Sequence, residues 1–484
     1  MALAAGEAGQ GRLLAVVPSV SVTQTFTNNH LLNEFGRSDA ITRLNAGLGL
    51  RSRSSAVQGL LDYTLSGNVH ARDSARNSVQ NALNASVLAD LVENRLRLNA
   101  SASISQGAVS AFGVQPGDGA VNTANSTEVR SLQVTPTLRG VIGPALQYTT
   151  SLTHAITDAS GGGNGSSAST SLTARLEPRT ASRVGWAVDA VHLTSDFDQG
   201  RTTQSNRLFA TVNGNLDEFD LVINARGGVE QSDLTTQQRQ NDGTWGLGAT
   251  WVPSPRTRFS ADLDQRGFGR SHSISAQHRM ARLSFSYRHA RSLSTAGSLT
   301  LGGPDVLYQL VALQFASITD PVLRDAAIRG RLIELNLDPT RLPSIGFLTS
   351  TATLQNTQEF SIAWRGPRDS LSATVSRSST RRADTVAIAV DDLGQSSVIA
   401  LSNLAVSWSH RLTPGSSLAL TLTAARGDGD TATQSNRQTR MELAYNTSLT
   451  PQSFATVSLR RGLYKTALQP YDESAVTASY GIRF

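Results

Sequence analysis

The chain closes on a strictly alternating segment. Val476, Ala478, Tyr480, Ile482 and Phe484 fall on one parity, and Ala475, Thr477, Ser479, Gly481 and Arg483 on the other. Successive side chains of a β-strand point to opposite faces, so this segment has one apolar face and one small or polar face. The pattern recurs from end to end in stretches of about ten residues. Leu44, Ala46, Leu48 and Leu50 share a face, as do Leu83, Ala85, Val87, Ala89 and Leu91. Trp245, Leu247, Ala249 and Trp251 follow the same rule, and so do Leu418, Leu420, Leu422 and Ala424. Period two repeated over so many segments predicts an all-β chain. Recurrence in stretches of about ten residues from end to end predicts a transmembrane, antiparallel up-and-down β-barrel.

The connections agree. Short, Pro- and Gly-punctuated turns such as Glu93-Asn94, Gly143-Pro144, Arg365-Gly366-Pro367-Arg368 and Leu412-Thr413-Pro414-Gly415 alternate with longer polar loops at 27–38, 110–127, 158–167, 381–397 and 426–436. Short turns at one end and long loops at the other are what an outer-membrane barrel shows. Assigning strands gives about 22, within an even count of 18–22, with both termini periplasmic. The barrel is expected to occupy 15–484. Residues 1–14, opening Met-Ala-Leu-Ala-Ala-Gly-Glu-Ala-Gly, resemble the tail of a secretory signal followed by a periplasmic N-terminus. Trp251, Trp364, Trp408, Tyr480 and Phe484 sit at the ends of apolar stripes, where an interfacial girdle belongs.

Composition narrows the partners. Of 484 residues 39% are hydrophobic and the mean hydropathy is −0.19, too polar for a helical membrane protein but suited to strands with one apolar face. No cysteine is present, which removes disulfides and thiolate sites. Lys465 is the only lysine among 43 basic residues and the formal net charge is +6. The arginines are dispersed and no nucleic-acid motif accompanies them, so nucleic acid is not an expected partner. The expected partners are outer-membrane lipid and the barrel assembly machinery. Tyr480, Ile482 and Phe484 form the apolar face that the machinery would read as an assembly signal.

One segment breaks the period. In 304–341 apolar residues recur at three and four: Leu307, Leu310, Val311, Phe315 and Ile318, then Val322, Ala326, Ile333 and Leu337. Asp320-Pro321 supplies a helix N-cap with proline at the first helical position. The pattern predicts a helical hairpin inserted between strands on the long-loop side. Its apolar faces need a berth, either inside the barrel as a constriction or on the rim as a lid. In the constriction reading Leu310, Phe315, Arg324, Arg329 and Arg331 meet the lumen.

No enzyme constellation emerges. The eight histidines are scattered, without HExxH, a nucleophile elbow or a Walker A loop. No catalytic residue, metal or cofactor is assigned, and the chain reads as a non-enzyme. The polar residues of interest are those on lumen parity: Arg95, Arg97, Arg139, Arg226, Arg282, Arg288 and Arg460, with Asp262, Asp264, Arg266, Glu359 and Glu442. A wet interior tolerates these charges, and opposite charges there can simply pair across strands; the functional alternative is an arginine-lined conduit for an anionic or hydroxyl-rich solute.

Two stretches carry a resemblance. One is Trp251-Val-Pro-Ser-Pro-Arg-Thr-Arg-Phe259 with Arg266-Gly-Phe-Gly-Arg-Ser-His272 and Tyr287. The other is Asp320-Pro321-Val-Leu-Arg324 with Leu335-Asn-Leu-Asp-Pro339. Together they resemble the PEP-CTERM-system-associated outer-membrane proteins, barrels that accompany exopolysaccharide and exosortase loci. The resemblance implies a Gram-negative outer-membrane β-barrel serving exopolysaccharide export or secretion, with polysaccharide and periplasmic export components as partners. It carries over no catalytic residue. Three functions remain in view: a polymer-export channel, a general diffusion porin, and a structural or adhesive surface barrel. A receptor with an N-terminal plug domain is disfavoured by the few residues ahead of the first strand.

Overall fold

The computed structural model describes residues 14–54, 56–115, 123–160, 165–180, 183–301, 315, 324, 328, 345–384, 391–466 and 470–484. The strands are β1 (Leu14–Thr27), β2 (Asp39–Arg53), β3 (Val57–His70), β4 (Ser78–Val92), β5 (Leu96–Ala108), β6 (Ser126–Ile142), β7 (Leu146–Ala159) and β8 (Ser167–Pro178). They continue with β9 (Val184–Phe197), β10 (Thr203–Leu216), β11 (Leu221–Ser232), β12 (Gln240–Ser254), β13 (Thr257–Arg266), β14 (Gly269–Arg279), β15 (Leu283–Ser294) and β16 (Ser298–Leu301). The last eight are β17 (Ile345–Leu348), β18 (Thr353–Arg365), β19 (Asp369–Arg382), β20 (Ile399–Thr413), β21 (Ser416–Asp428), β22 (Ser435–Ser448), β23 (Ser453–Thr466) and β24 (Tyr471–Arg483).

Twenty-two of these form one antiparallel sheet, each strand pairing with the next in the chain except that β15 pairs with β18. The sheet closes where β1 pairs with β24, Val20 opposite Ile482 and Val22 opposite Tyr480. Closure satisfies the edge groups that a free sheet would leave open, which in lipid is a requirement. The strand count of 22 stands at the upper end of the expected range.

Alternation dictates the two faces. Val20, Val22, Leu44, Leu208, Val212, Leu263, Val375, Leu459 and Val476 point out of the ring and are exposed. On the opposite parity Asn45, Ser66, Thr211, Ser372, Thr374 and Asn403 are buried in the interior. An oily exterior with a polar interior inverts a soluble protein and belongs to a barrel in lipid. Trp251, Trp364, Tyr480 and Phe484 are exposed on the outward side at the short-turn end, and the Trp251 ring stacks on Phe259 at 5.5 Å.

The turns at that end are tight, as in Glu93–Arg95, where Asn94 takes φ +56°, and 143–145, where Gly143 takes φ +60°. A left-handed residue lets the chain reverse within so few positions. The long-loop side also has short connections: two residues between β13 and β14 and four between β23 and β24.

The insertion between β15 and β18 opens and closes with strands that the sequence reading did not anticipate. β16 and β17 pair with each other in a separate two-stranded sheet, Leu299 opposite Phe347. The helical hairpin expected over 304–341 lies outside the described residues, apart from Phe315, Arg324 and Ile328. Arg324 and Ile328 have helical backbone, and Ile328 is buried. Of residues 1–14, expected as signal remnant and periplasmic N-terminus, 1–13 are likewise outside them and Leu14 opens β1.

Candidate functional site in the lumen

The small hairpin β16–β17 sits inside the ring and touches both of its sides. Phe347, 1% exposed, packs in a cluster with Leu299, Ala111, Leu393 and two inward residues of β20, Ile399 and Leu401. The next residue, Leu348, also 1% exposed, packs with Val129 of β6 and Ala159 of β7. Adjacent strand residues point opposite ways, so one short strand reaches two walls. Those walls are far apart along the sheet: β20 lies eleven strands round the ring from β7, half of the 22. A round ring of this size would be roughly 40 Å across, given ~4.8 Å between strands and ~40° of tilt. The hairpin thus draws the two walls together across the lumen.

Hydrogen bonds fix it in place. The Leu348 N–H donates to the Val109 carbonyl at 3.2 Å, and the Thr349 N–H to the Gly297 carbonyl at 2.8 Å. Gln115 accepts from the Gly346 N–H at 3.2 Å. From the other side comes a single helical turn, α1 (Asp392–Gln395), capped by the Asp391 carboxylate, which accepts from the Leu393 N–H at 2.9 Å. Asp391 also accepts from the Ser350 N–H at 2.6 Å, and Asp392 from the Ala111 N–H at 2.6 Å. Asn436 of β22 donates to the Ala111 carbonyl at 2.6 Å and Tyr464 of β23 to that of Phe112 at 3.1 Å. Residues 109–115, 297–299, 346–350 and 391–393, drawn from three different long connections, therefore interlock. Burial is the largest influence on Asp392 and, with Asp391 alongside, holds its carboxyl above the ordinary range despite bonds from Ala111 and Ser110. Farther down, the Phe315 ring lies 5.9 Å from the Arg365 guanidinium carbon, and Arg365 ends β18 at the short-turn side. The insertion, which leaves the wall at the long-loop end, thus has a residue at the opposite end.

The wall carries a second feature, an ion lattice over β8–β13. Arg226 of β11 is bound to Asp264 and Asp262 of β13, the latter at 3.1 Å, so it reaches across the whole of β12. Gly246 and Gly248 make that possible: a Cβ at Gly246 would stand 2.2 Å from Asp264 Oδ1 and 2.6 Å from Arg226 Nε, and one at Gly248 2.4 Å from Asp262 Oδ1. Beside it Arg266 forks onto Glu230 at 2.6 and 3.1 Å, and Arg175 bridges Glu177 and Asp189. Of the residues singled out by parity, Arg226, Asp262, Asp264 and Arg266 are brought together here. Glu230, Arg175, Glu177 and Asp189 were not singled out, although Glu230 shares the parity of Arg226 four residues away.

The other candidates are dispersed. Arg460 pairs with Glu473 at 2.8 Å, both nearly buried, while its register partner Glu442 stands on β22. Arg288 and Glu359 face each other across β15 and β18. Arg97 pairs with Asp90 at 2.8 Å near the short-turn rim, and Arg139 is exposed at the same level. Arg95 and Arg282 depart from the expectation: they lie in the turns before β5 and β15, because those strands begin one residue later than the alternation implied. Leu310, Arg329 and Arg331 lie outside the described residues.

A third feature is a strip of hydroxyls. Ser370, Ser372, Thr374, Ser376, Ser378 and Thr380 run along the inward face of β19, all buried. Across β18 and β20 they are joined by Ser361, which lies 3.2 Å from Thr374, and by Ser407 and Ser409. The hydroxyls of Ser284, Ser370, Ser376 and Ser407 have no hydrogen-bond partner among the described residues.

No family model and no curated relative matches the chain. Among solved structures it is similar to the FrpB iron transporter of Neisseria meningitidis, at 9% identity and a TM-score of 0.48, covering 96% of this chain and 81% of that one. The siderophore receptor PirA of Acinetobacter baumannii gives 8% and 0.47, covering 97% and 80%. OpdO of Pseudomonas aeruginosa gives 10% and 0.33, covering 97% of each chain.

Proposed function

We propose that this barrel spans the outer membrane of a Gram-negative cell, with both termini periplasmic, and is a closed-at-rest channel for exopolysaccharide export. The observation that carries the reading is the hairpin β16–β17, docked on β6 and β7 through Leu348 and on β20 through the Phe347 cluster. A barrel built only to scaffold the surface has no need of an obstruction held by opposite walls, and a diffusion porin works by leaving its lumen clear.

The hydroxyl strip supports a carbohydrate as the solute. Alternate residues on a strand are about 6.8 Å apart, so β19 offers a regular column of donors and acceptors rather than one tight site. A polymer passing through must be held weakly and often, so that it can leave as well as enter. Buried hydroxyls without partners cost free energy, and a sugar chain lying along β19 would supply those partners. The arginines of the lattice are committed to carboxylates, which leaves the hydroxyl wall as the surface for a neutral or weakly charged polymer.

The test is conductance of the purified protein in a planar bilayer, with and without added exopolysaccharide. The expected record is a nearly closed pore with rare openings that polymer shortens. A large, steady pore indifferent to polymer would overturn the proposal in favour of a porin. Silence even after the hairpin is loosened would return the chain to a structural role.

A further inference from the structure

The outward face at the long-loop end carries a row of cations. Register places Arg426 of β21 opposite Arg437 of β22, and Arg437 opposite Lys465 of β23. On the other flank Arg426 faces Ser402 of β20, which faces Arg377 of β19. All four basic residues share the parity of outward apolar neighbours: Val375, Leu404, Leu422, Met441 and Leu463. Arg381 and Arg461 extend the group on β19 and β23. Carboxylates answer two of these cations: Asp428 pairs with Arg426 at 2.7 Å and Asp472 with Arg461 at 2.6 Å. Arg377, Arg381, Arg437 and Lys465 are exposed and make no ion pair among the described residues.

Like charges directly opposite on neighbouring strands repel; Asp428 answers Arg426, but the facing pair Arg437 and Lys465 has no carboxylate among the described residues, so an anion over them is favoured. The same strands at the short-turn end show Leu371, Trp408, Leu418, Tyr445 and Val457 outward, with Asp369 bonded to His410 at 2.8 Å; Arg368 and Arg411 are the basic residues there, and no row of facing cations forms among the described residues. The asymmetry matches one leaflet. Neighbouring strands stand ~4.8 Å apart, so Arg426, Arg437 and Lys465 present three cations within roughly 10 Å, directly above an apolar wall. An anion that fits must sit at the boundary between oil and water and carry its own acyl chains into the oil. Guanidinium forks onto phosphate oxygens bidentately, and lysine adds a point charge.

We propose that Arg426, Arg437 and Lys465 form a docking row for the phosphorylated headgroup of a glycolipid in the leaflet on the long-loop side. The lipid lies against β20–β23 with its phosphates on the row and its chains along Leu404, Leu422 and Met441. Asp428 offsets Arg426 alone, so a phosphate over Arg437 and Lys465 relieves the repulsion that remains and ties barrel stability to the leaflet's composition.

The test uses the full chain purified in dodecyl maltoside and titrated with bisphosphorylated lipid A, bound lipid being counted by native mass spectrometry. The triple variant Arg426→Ser, Arg437→Ser, Lys465→Ser should bind at least about tenfold more weakly. The dephosphorylated glycolipid should bind the unaltered chain no better than the triple variant binds lipid A, and millimolar glucose 1-phosphate should not compete. Should the triple variant fail to fold by its heat-modified migration in gels, Arg437→Gln alone should still weaken binding about threefold. Equal binding by the variants, equal binding of the dephosphorylated lipid, or displacement by glucose 1-phosphate would each overturn the proposal.

Discussion

Shortening Phe347 to alanine separates the obstruction from the wall. Phe347 is 1% exposed and belongs to the hairpin, whereas the 22-strand ladder closes without it. Removing a buried phenylalanine side chain from a packed cluster costs about 3–5 kcal/mol. Here the loss falls on the docked hairpin and not on the barrel, because the remaining partners Ile399 and Leu401 stay in β20 either way. At 1.4 kcal/mol per factor of ten, the odds of undocking should rise on the order of a hundredfold or more. Single-channel recording should show open probability climbing by that order, with heat-modified migration in gels confirming an intact barrel. Leu348→Ala weakens the opposite leg by about 2–5 kcal/mol and should act in the same direction. If each leg holds the hairpin independently, the double variant should approach the sum of the two effects in free energy. A folded Phe347→Ala barrel with unchanged open probability would refute the idea that this contact holds the lumen closed.

Other consequences can be measured in the same preparation. Arg226→Ser leaves Asp262 and Asp264 without their cation, so the reversal potential in a KCl gradient should move toward cation selectivity, while stability falls by only about 1 kcal/mol for so partly exposed a pair. Gly246→Val places a side chain where Asp264 and Arg226 meet and should produce the same selectivity shift without removing any charge. Leu263→Arg, outward on β13, should lower folded yield through a cost of ~2–4 kcal/mol near the bilayer midplane, whereas Arg288→Ser on the inward face should fold normally. Asp392 gives a pH dependence: its raised docked-state pKa means docking is strongest below the ordinary carboxylate value and weakens as pH rises through the raised one. Open probability should therefore fall on acidification, and Asp392→Asn should flatten that response.

How far the residues alone reached depends on the range of the interaction. Strand faces follow from nearest neighbours in the chain, so the side of the wall taken by Leu44 or Tyr480 was legible from parity, and a slip of one residue would have inverted both. Strand ends are set by turn geometry and are less constrained, which is why Arg95 and Arg282 fall into turns. The Arg226 fork was half legible. Its parity was plain, but its reach over β12 depends on two glycines that read in sequence only as weak strand formers. The interlock of Ala111, Phe347 and Leu393 was not legible at all. Each lies in a different long connection, and neither the period-two nor the helical spacing picks out a stretch as short as Ile345–Leu348. What does distinguish it is that both of its faces are apolar and buried, Phe347 one way and Leu348 the other. A wall strand would show one polar face to the interior. A short apolar run with no polar alternation, set inside a long connection of an otherwise alternating barrel, is therefore a signature of a segment that touches protein on both sides. In a closed ring, the place where that can happen is the lumen.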